Sequence, residues 1–334
     1  MRAPAFYFQP PGFLSTLLSP FGAVYGAVAA VRMRKDGVRA GVPVICIGNP
    51  TLGGAGKTPT ALALAAMLAE MGERPFFLSR GYGGSDAGPV LVDTDAHRAA
   101  EVGDEPLLLA QAFPTVVARD RPAGAKLATA SDASVLVLDD GFQNPSLAKD
   151  CSLLVIDGGT GVGNGHVFPA GPLRAPFDAQ LAQAQGVVLV GKGGASASIA
   201  RDAEARKLPV FRAKLVPDSA ASELAGNKVL AFAGIGHPEK FFSTLTALGA
   251  EVVEQRAFPD HHRFSASEAD ALLAAAQARG LLLVTTEKDF VRLKGEPSLA
   301  ELTAQARTLP VRLQFENMDG VRDLLNRTLA KARA

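Results

Sequence analysis

A lysine and a threonine stand side by side at the end of a glycine-rich stretch, and this arrangement points to phosphate chemistry. Lys57 and Thr58 follow Gly53-Gly54-Ala55-Gly56 and precede a helical pattern. In such a loop backbone N–H groups and the helix N-terminus attract an anion, while the lysine and the hydroxyl meet terminal phosphates and Mg²⁺. The usual pattern has glycine where this chain has Thr51. The residues expected around a nucleotide are Asn49, Thr51, Gly53, Gly54, Ala55, Gly56, Lys57 and Thr58.

Two adjacent carboxylates end a later apolar run. Asp139 and Asp140 follow the β-rich stretch from Ser134 to Leu138, and such a pair can hold Mg²⁺ directly or through water. Because successive strand side chains point to opposite faces, we expect one of the two to face the metal. The alternative is an aspartate that serves only a turn or a helix cap.

Asp104 stands at the start of an apolar helix and has two interpretations. It is either an ordinary helix-start residue or a carboxylate that accepts a proton from an attacking hydroxyl. His261, in a loop before a helix that Ser265 opens, is a candidate partner if a second domain folds over the first. A metal site built on His261 and His262 is disfavoured, because adjacent histidines diverge and no cysteine or third histidine lies at a ligand spacing.

Three arginines each follow a predicted strand: Arg80, Arg121 and Arg174. Each can clamp a phosphate or stabilise transferred charge, and for each taken alone a solvated surface position is the alternative. Tyr82, flanked by glycines, is expected either to pack on a sugar or base or to anchor the core.

Short β-rich runs alternate with helical patterns through the middle of the chain. This alternation predicts a mostly parallel sheet with helices on both faces, with ligands at the carboxyl ends of its strands. The polar clusters follow strands, so we expect them to converge on one edge. Predicted strands of the first unit cover residues 42–47, 75–78, 115–118, 134–138, 153–156, 186–190 and 209–213, and those of a second α/β unit cover 228–233, 251–255, 281–285 and 310–313.

The N-terminal stretch is apolar and uncharged from Ala3 to Val31, and four basic residues follow it: Arg32, Arg34, Lys35 and Arg39. Its prolines and glycines argue against a clean bilayer span. We expect a helical hairpin or an amphipathic segment in the membrane interface, with the basic cluster against anionic headgroups on the cytoplasmic side. The alternative is a helix pair packed on the protein. The expected division is 1–37 (membrane-contacting segment), 38–220 (phosphate-loop domain) and 221–334 (second α/β domain).

The composition of this chain of 334 residues, 48% hydrophobic and 20% charged, allows a sizeable core. The net charge of +1 provides no global field for nucleic acid, which we do not expect as a partner. Cys46 and Cys151 fall in β-rich runs and are interpreted as core thiols of a reducing compartment, without a disulfide.

The order of the motifs resembles the tetraacyldisaccharide 4'-kinase family, the lipid A 4'-kinases of Gram-negative bacteria. The motifs are GNPTLGGAGKTP, SRGYGG, GDEP, RDR, DDGFQ, GNG…PAGPLR, FAGIG, FPDHHRF and TTEKD. The resemblance implies an ATP- and Mg²⁺-dependent kinase at the cytoplasmic face of the inner membrane that phosphorylates the 4'-hydroxyl of tetraacyldisaccharide 1-phosphate. We expect a monomer. It also implies an apolar N-terminal segment that meets the bilayer and two domains that close on nucleotide.

The resemblance also implies roles for individual residues. Asp104 corresponds to the proposed base and His261 to its partner; Lys57 and Thr58 correspond to the phosphate and metal groups. Further expected positions are Asp139, Asp140 and Gln143 (Mg²⁺), Arg121 and Arg174 (phosphate or substrate), and Arg80, Tyr82 and Glu105 (substrate). The chain departs from the family pattern at Asn144, where histidine is usual, and at Ala175, where glutamate is usual. The second departure is expected to shift Mg²⁺ coordination to Asp139, Asp140 or water.

Two other classes of protein share a phosphate loop. A GTPase or ATPase of metallocentre assembly is disfavoured, because Thr286-Glu287-Lys288-Asp289 has the wrong spacing for a guanine-binding motif. A membrane-associated partition ATPase is disfavoured because its loop has an extra lysine where this chain has Leu52.

Overall fold

The computed structural model describes residues 4–334, which form two β-sheets flanked by helices. The first three residues of the predicted N-terminal segment lie outside this part. The strands are β1 (Val44–Gly48), β2 (Pro75–Ser79), β3 (Val90–Leu91), β4 (Thr115–Val117), β5 (Val135–Asp139), β6 (Cys151–Asp157), β7 (Gly186–Val190), β8 (Val210–Pro217), β9 (Lys228–Ala233), β10 (Glu251–Ala257), β11 (Leu282–Thr286), β12 (Arg307–Leu309) and β13 (Val311–Phe315).

The helices fill the connections between these strands. They are α1 (Phe13–Met33), α2 (Lys57–Glu70), α3 (Ala99–Val102), α4 (Asp104–Ala110), α5 (Arg121–Ala130), α6 (Phe177–Leu181), α7 (Ser196–Glu204), α8 (Pro238–Ala247), α9 (Ala266–Arg279), α10 (Glu287–Leu293), α11 (Ala300–Gln305) and α12 (Met318–Arg333). Short 3₁₀ helices cover Ala5–Phe8, Ser219–Leu224 and Pro297–Leu299.

The larger sheet has the order β13-β8-β7-β6-β1-β5-β2-β4-β3 and is parallel except for its two edge strands, β13 and β3. The central strand β1 lies between β5 and β6 and is buried along its whole length. A parallel sheet is covered on both faces, which explains why its strands are continuous apolar runs. The predicted class, a mostly parallel α/β sheet that carries a phosphate loop, with a second smaller α/β unit, is confirmed.

Separate apolar clusters cover the two faces of the larger sheet. On one face α2 and α12 pack through Leu64, Leu68 and Leu325. On the other, α5, α6 and α7 pack against strand residues that include Cys46, whereas Cys151 lies in the first cluster. Both cysteines are buried and unpaired, as expected.

The smaller sheet, β10-β9-β11-β12, is parallel throughout. The helix predicted after Ser265 is present as α9, and Ser265 and Glu268 form the expected capping box. The short strands β3 and β12 and the helix α10 were not predicted, because two or three strand residues and a seven-residue helix are too short to give a period.

The end of the chain does not stay with the smaller sheet. β13 pairs antiparallel with β8, and α12 contributes Val321 and Leu325 to the same apolar cluster as α2. Residues 311–333 therefore pack on the larger sheet, although the predicted second domain includes them, because the apolar stripe of α12 matches the uncovered face beside α2. The domain boundaries at residues 37 and 220 stay predictions.

The N-terminal segment forms one long helix, α1, and not a helical hairpin. Pro20 removes one backbone hydrogen bond without ending the helix. One side of α1 docks on the protein: a Cβ at Gly22 would lie 2.7 Å from the carbonyl oxygen of Val167, and Asn164 Nδ2 donates to Ser15 Oγ at 3.1 Å. Among the described residues, α1 alone is long and apolar enough to cross a membrane, judged by length and composition.

Candidate active site

The phosphate loop connects the end of β1 to the start of α2. Its glycines at 53 and 56 have φ of 110° and 87°, which residues with a side chain rarely adopt. Lys57 Nζ donates to Asn49 Oδ1 at 3.0 Å, and Asn49 Nδ2 donates to the Gly53 carbonyl at 2.9 Å. The loop is therefore closed on itself by Asn49, with the ammonium group of Lys57 held inside it.

Thr51, where glycine was expected, has a structural role in this loop. Its backbone forms an isolated bridge with Leu173, and its carbonyl accepts a hydrogen bond from Arg174 Nε at 3.1 Å. The part of the loop at Thr51 is thus bound to the segment after β6, which contains Leu173 and the predicted arginine, Arg174.

Asp139 ends β5 directly beside the loop. Thr58 Oγ1 donates to its Oδ2 at 3.4 Å, whereas its Oδ1 is buried without a hydrogen-bond partner. Burial and the charge of Glu105 raise the pKa of Asp139 to about 7. A buried carboxylate oxygen without a partner fits a hard cation, which favours oxygen ligands. Among residues 4–334 no group of three or more His, Cys, Asp and Glu can hold a metal by itself, so a cation here would need further oxygen ligands from Thr58, phosphate or water.

The raised pKa of Asp139 gives a prediction for stability without metal. Its ordinary pKa is 3.8, so the folded chain holds the proton more strongly than the unfolded chain, and this group lowers stability as pH rises from about 4 through 7. Asp139→Asn is expected to raise the free energy of unfolding of the metal-free protein at pH 8 by about 2 kcal/mol. Thermal unfolding at pH 8 and pH 5 measures this, and the gain should shrink at pH 5.

The control for that experiment is Asp270→Asn, a change at an exposed position on α9. It should leave the melting temperature unchanged at both pH values. A melting temperature of Asp139→Asn that is no higher than wild type at pH 8, or a gain that grows toward acid pH, would contradict the explanation.

Asp140 is the centre of a cluster of cations. Arg174 Nη1 donates to both of its carboxylate oxygens at 2.9 and 3.0 Å, and Lys57 Nζ lies 3.8 Å from Oδ2. Although burial opposes ionisation, Lys57 and Arg174 hold the pKa of Asp140 below its usual value. Asp140 has φ of 60°, a conformation uncommon outside glycine and asparagine. Arg121, which is buried, donates to the Asp140 carbonyl and holds this strained turn.

Gln143 and Ala175 lie behind the loop. Gln143 Nε2 donates to the Asn49 carbonyl at 3.0 Å and to Gln180 Oε1 at 3.0 Å, and Gln180 Nε2 donates to the Ala175 carbonyl at 2.8 Å. The two amides support the start of the phosphate loop. Ala175 is fully buried and offers no oxygen other than its carbonyl, so the position cannot supply the carboxylate that the family pattern has there.

Asp104 and His261, 157 positions apart, meet at the junction of the two sheets. His261 Nδ1 lies 3.0 Å from Asp104 Oδ2, and the Glu105 N–H donates to Asp104 Oδ1 at 2.9 Å. Burial opposes ionisation of Asp104, but the hydrogen bond from His261 and the charges of Lys288 and Arg292 outweigh it, so its pKa lies well below the usual range. His261 itself has φ of 58°.

Helix α10 supplies two cations that the sequence prediction missed. Lys288 Nζ donates to Glu105 Oε1 at 3.0 Å and lies 3.4 Å from His261 Nε2, while Arg292 donates to Asp104 Oδ2. In the sequence, the polar run Thr286-Glu287-Lys288-Asp289 is a family motif with the wrong spacing for guanine binding, and neither property assigns a role to Lys288. The Asp289 N–H donates to Thr286 Oγ1, which is a helix-cap signal, and a four-residue spacing from Lys288 to Arg292 places both on one helix face.

Tyr82 borders this junction, whereas Arg80 follows β2 and its charge acts on the buried Arg121. Both are exposed, Tyr82 to 72%, and the Tyr82 ring lies edge-on to the His261 ring with centroids 5.7 Å apart. His262 faces the other way: it stacks on Phe258, and its Nε2 lies 3.0 Å from Glu268 Oε1. The two histidines therefore diverge, as predicted.

Comparison with known proteins gives consistent similarity over the whole chain. The profile of the family described as tetraacyldisaccharide-1-P 4'-kinase matches residues 14–330. A tetraacyldisaccharide 4'-kinase of Rhodopseudomonas palustris is 55% identical over 334 residues, covering 100% of this chain and 98% of its own. One of Methylorubrum extorquens is 56% identical over 326 residues, covering 97% of this chain and 98% of its own.

The fold agrees with the sequence comparison. A crystal structure of LpxK from Aquifex aeolicus in complex with ATP superposes with a TM-score of 0.74 at 26% identity, covering 95% of this chain and 100% of that one. With a phosphate loop, an aspartate–histidine pair and this similarity over its length, the chain belongs to the tetraacyldisaccharide-1-P 4'-kinase family.

Proposed function

We propose that this enzyme transfers the γ-phosphate of ATP to the 4'-hydroxyl of tetraacyldisaccharide 1-phosphate, forming the 4'-phosphorylated lipid A precursor (lipid IVA) of lipopolysaccharide biosynthesis. The observation that carries the proposal is the meeting of two groups at one edge of the larger sheet. These are the phosphate loop with Lys57 and Thr58, and the Asp104–His261 pair, whose neighbours Glu105 and Lys288 act electrostatically on Asp139 beside the loop. Membership of the kinase family and the ATP complex of LpxK support it.

Nucleotide phosphates are proposed to bind in the phosphate loop between Asn49 and Thr58. Lys57, now held by Asn49, supplies positive charge to the terminal phosphates, and Arg174 adds a second cation at the loop. Thr58 and Asp139, with Asp140 beside them, would hold Mg²⁺, which when bound neutralises phosphate charge. Gln143, expected at the metal, instead supports the loop from behind through the Asn49 carbonyl. Arg121 acts indirectly, because it is buried under Asp140.

The acceptor hydroxyl is proposed to lose its proton to Asp104. The hydroxyl oxygen forms a bond to the γ-phosphorus, the bond from that phosphorus to the β–γ bridging oxygen breaks, and ADP leaves. The proton passes to the carboxylate, which His261 and Arg292 orient through Oδ2. Tyr82 and Glu105 border this place, and together with Arg80 they are the proposed contacts for the sugar and phosphate parts of the lipid.

Contact with the membrane is proposed for the exposed side of α1, on the cytoplasmic face of the inner membrane. The apolar side chains on this side, which are mostly exposed, are Phe13, Leu17, Phe21, Val24 and Val28. A helix that is docked on one side and apolar on the other fits the interface of a bilayer, where an amphiphilic acceptor lies. The basic residues Arg32 and Arg34, at its C-terminal end, would meet anionic headgroups.

Changing those five side chains to serine tests the membrane contact. Because the docked side is untouched, the fold should persist, which deletion of the helix would not guarantee. The KM for the acceptor in vesicles is expected to rise by about tenfold or more, and vesicle flotation should be lost. ATP affinity should stay as in wild type.

A matched control replaces Leu215 and Met318, exposed apolar residues on other elements, with serine. It should leave flotation unchanged. If the α1 variant floats with vesicles as wild type does, the exposed side of α1 is not the membrane contact.

The activity is tested by following labelled γ-phosphate from ATP in mixed micelles. Tetraacyldisaccharide 1-phosphate should become labelled, and the same lipid lacking the 4'-hydroxyl should not. Phosphate release to water at equal rates with and without acceptor would contradict the kinase activity and favour a partition-type ATPase.

The protein is expected to be a monomer. Size-exclusion chromatography with light scattering tests this expectation.

A further inference from the structure

Arg292 is a buried cation on α10, in the smaller layer (the smaller sheet with its helices), and it reaches Asp104 of the larger layer (the larger sheet with its helices). Its side chain is 5% exposed. Both Nε and Nη2 donate to Asp104 Oδ2, the former at 2.7 Å. Its Nη1 donates to the Gly234 carbonyl at 2.8 Å and to Asp289 Oδ1 at 2.6 Å. All three guanidinium nitrogens therefore donate hydrogen bonds, and Nη2 also lies 3.5 Å from His261 Nδ1.

The anchors of Arg292 belong to the smaller sheet layer. Gly234 follows β9, and Asp289 lies on α10 with Arg292 itself. Asp289 needs no partner from the other layer, because its Oδ2 accepts from the Gly234 N–H at 3.0 Å and from Thr286 Oγ1 at 2.7 Å. Asp289 is thus satisfied within the smaller layer, whereas Nε and Nη2 of Arg292 have Asp104 of the larger layer as their acceptor.

Apolar packing fixes the same approach. Val291, the neighbour of Arg292, is buried in a cluster with Val102, Leu107 and Val117 of the larger layer. This cluster packs α10 against α4, so the position of the Arg292 guanidinium relative to Asp104 is fixed. Because an arginine fork is planar and rigid, it fixes the direction of the carboxylate as well as its charge.

The two oxygens of Asp104 have different surroundings as a result. Oδ2 accepts from Arg292 and faces His261 Nδ1, while Oδ1 accepts only the Glu105 N–H at 2.9 Å. A carboxylate oxygen can accept two hydrogen bonds, so Oδ1 retains capacity for a further proton donor and Oδ2 does not.

We infer that Arg292 is a positioning residue for phosphoryl transfer, which holds Asp104 Oδ2 so that Oδ1 is the atom that receives the proton of the acceptor hydroxyl. This inference rests on the proposed role of Asp104 as base. It also makes the catalytic geometry depend on docking of the smaller layer, since Arg292 and its anchors arrive together with that layer.

The test is a double-mutant cycle in the mixed-micelle assay, with Arg292→Met made in wild type and in Asp104→Asn. In wild type the substitution is expected to lower kcat by about 10–100-fold while the KM for ATP changes little, because the carboxylate is misplaced and the phosphate loop is not. In Asp104→Asn, where no carboxylate remains to be positioned, the same substitution should change kcat by less than about twofold.

Two further variants complete the experiment. Arg292→Lys keeps the charge but not the fork and should recover part of the lost kcat. Arg279→Met, on an exposed arginine of α9, should behave as wild type. If Arg292→Met does not fold, the cycle is run with Arg292→Lys and judged by the same criterion.

Equal losses of kcat in both backgrounds, or wild-type kcat for the Arg292 variants, would overturn the inference. Failure of the base assignment is a different result: Asp104→Asn alone would then turn over near the wild-type rate. The two failures are therefore distinguishable in the same set of measurements.

Discussion

Asp104→Asn is expected to lower kcat for lipid phosphorylation by about 10²–10⁴-fold, the range found when a general base is removed. Asparagine has nearly the shape of aspartate but cannot take the proton. Within residues 4–334 the hydrogen bonds of the Asp104 side chain go to Glu105, His261 and Arg292 and not to the phosphate loop, so the affinity for ATP should be close to that of wild type. Single-turnover phosphorylation and nucleotide binding by calorimetry measure the two quantities separately.

The same substitution also has a predictable effect on stability. Its neighbour Arg292 keeps Asp289 as a buried anion but loses the charge of Asp104, which should cost about 2 kcal/mol at pH 7. The low pKa of Asp104 means that the folded chain releases this proton more readily than the unfolded chain. Its stabilisation is therefore present above about pH 4 and is lost as pH falls further, so the gap between wild type and variant should be constant from pH 5 to 8.

Asp270→Asn, the exposed control on α9, should change neither rate nor stability. Turnover of Asp104→Asn within about threefold of wild type would remove Asp104 from the role of base. In that event His261, whose Nε2 faces Lys288 and not Asp104, becomes the group to test next.

Local sequence was sufficient to predict most of the larger sheet and the position of the phosphate loop. The strands that end at Ser79, Asp139 and Asp157 are continuous apolar runs, and a polar cluster follows each. Because parallel strands share one carboxyl edge, the approach of Asp139 to Thr58 and of Asp140 to Arg174 follows from the strand pattern alone.

The contacts between the two layers could not be predicted in this way. Arg292 lies 188 positions after Asp104, on a helix of seven residues that shows no clear period. Likewise, the return of α12 to the larger sheet depends on which face is left uncovered, and that is a property of the assembled sheet. The exposed side of α1 was predicted by its lack of charge, whereas its docked side depends on Gly22 meeting Val167.

Lys57→Ala is expected to lower kcat/KM for ATP by about 10³-fold, because it removes the one loop cation that the glycines place at the terminal phosphates. The ammonium group is held in place before nucleotide arrives: Asn49 Oδ1 lies 3.0 Å away and Asp140 Oδ2 lies 3.8 Å away. Both partners are acceptors that a phosphate oxygen can replace, so the lysine reaches the nucleotide by exchanging one acceptor for another.

The fold of the loop should survive this substitution. Asn49 keeps its hydrogen bond to the Gly53 carbonyl, and Asp140 keeps Arg174, so the melting temperature should change little. Lys126→Ala, at an exposed position on α5, is the matched control. Normal turnover of Lys57→Ala would mean that Arg174, already bound to the Thr51 carbonyl and to Asp140, supplies the phosphate charge in this chain. Arg174→Ala, made in the Lys57→Ala background, would then be the substitution that abolishes transfer.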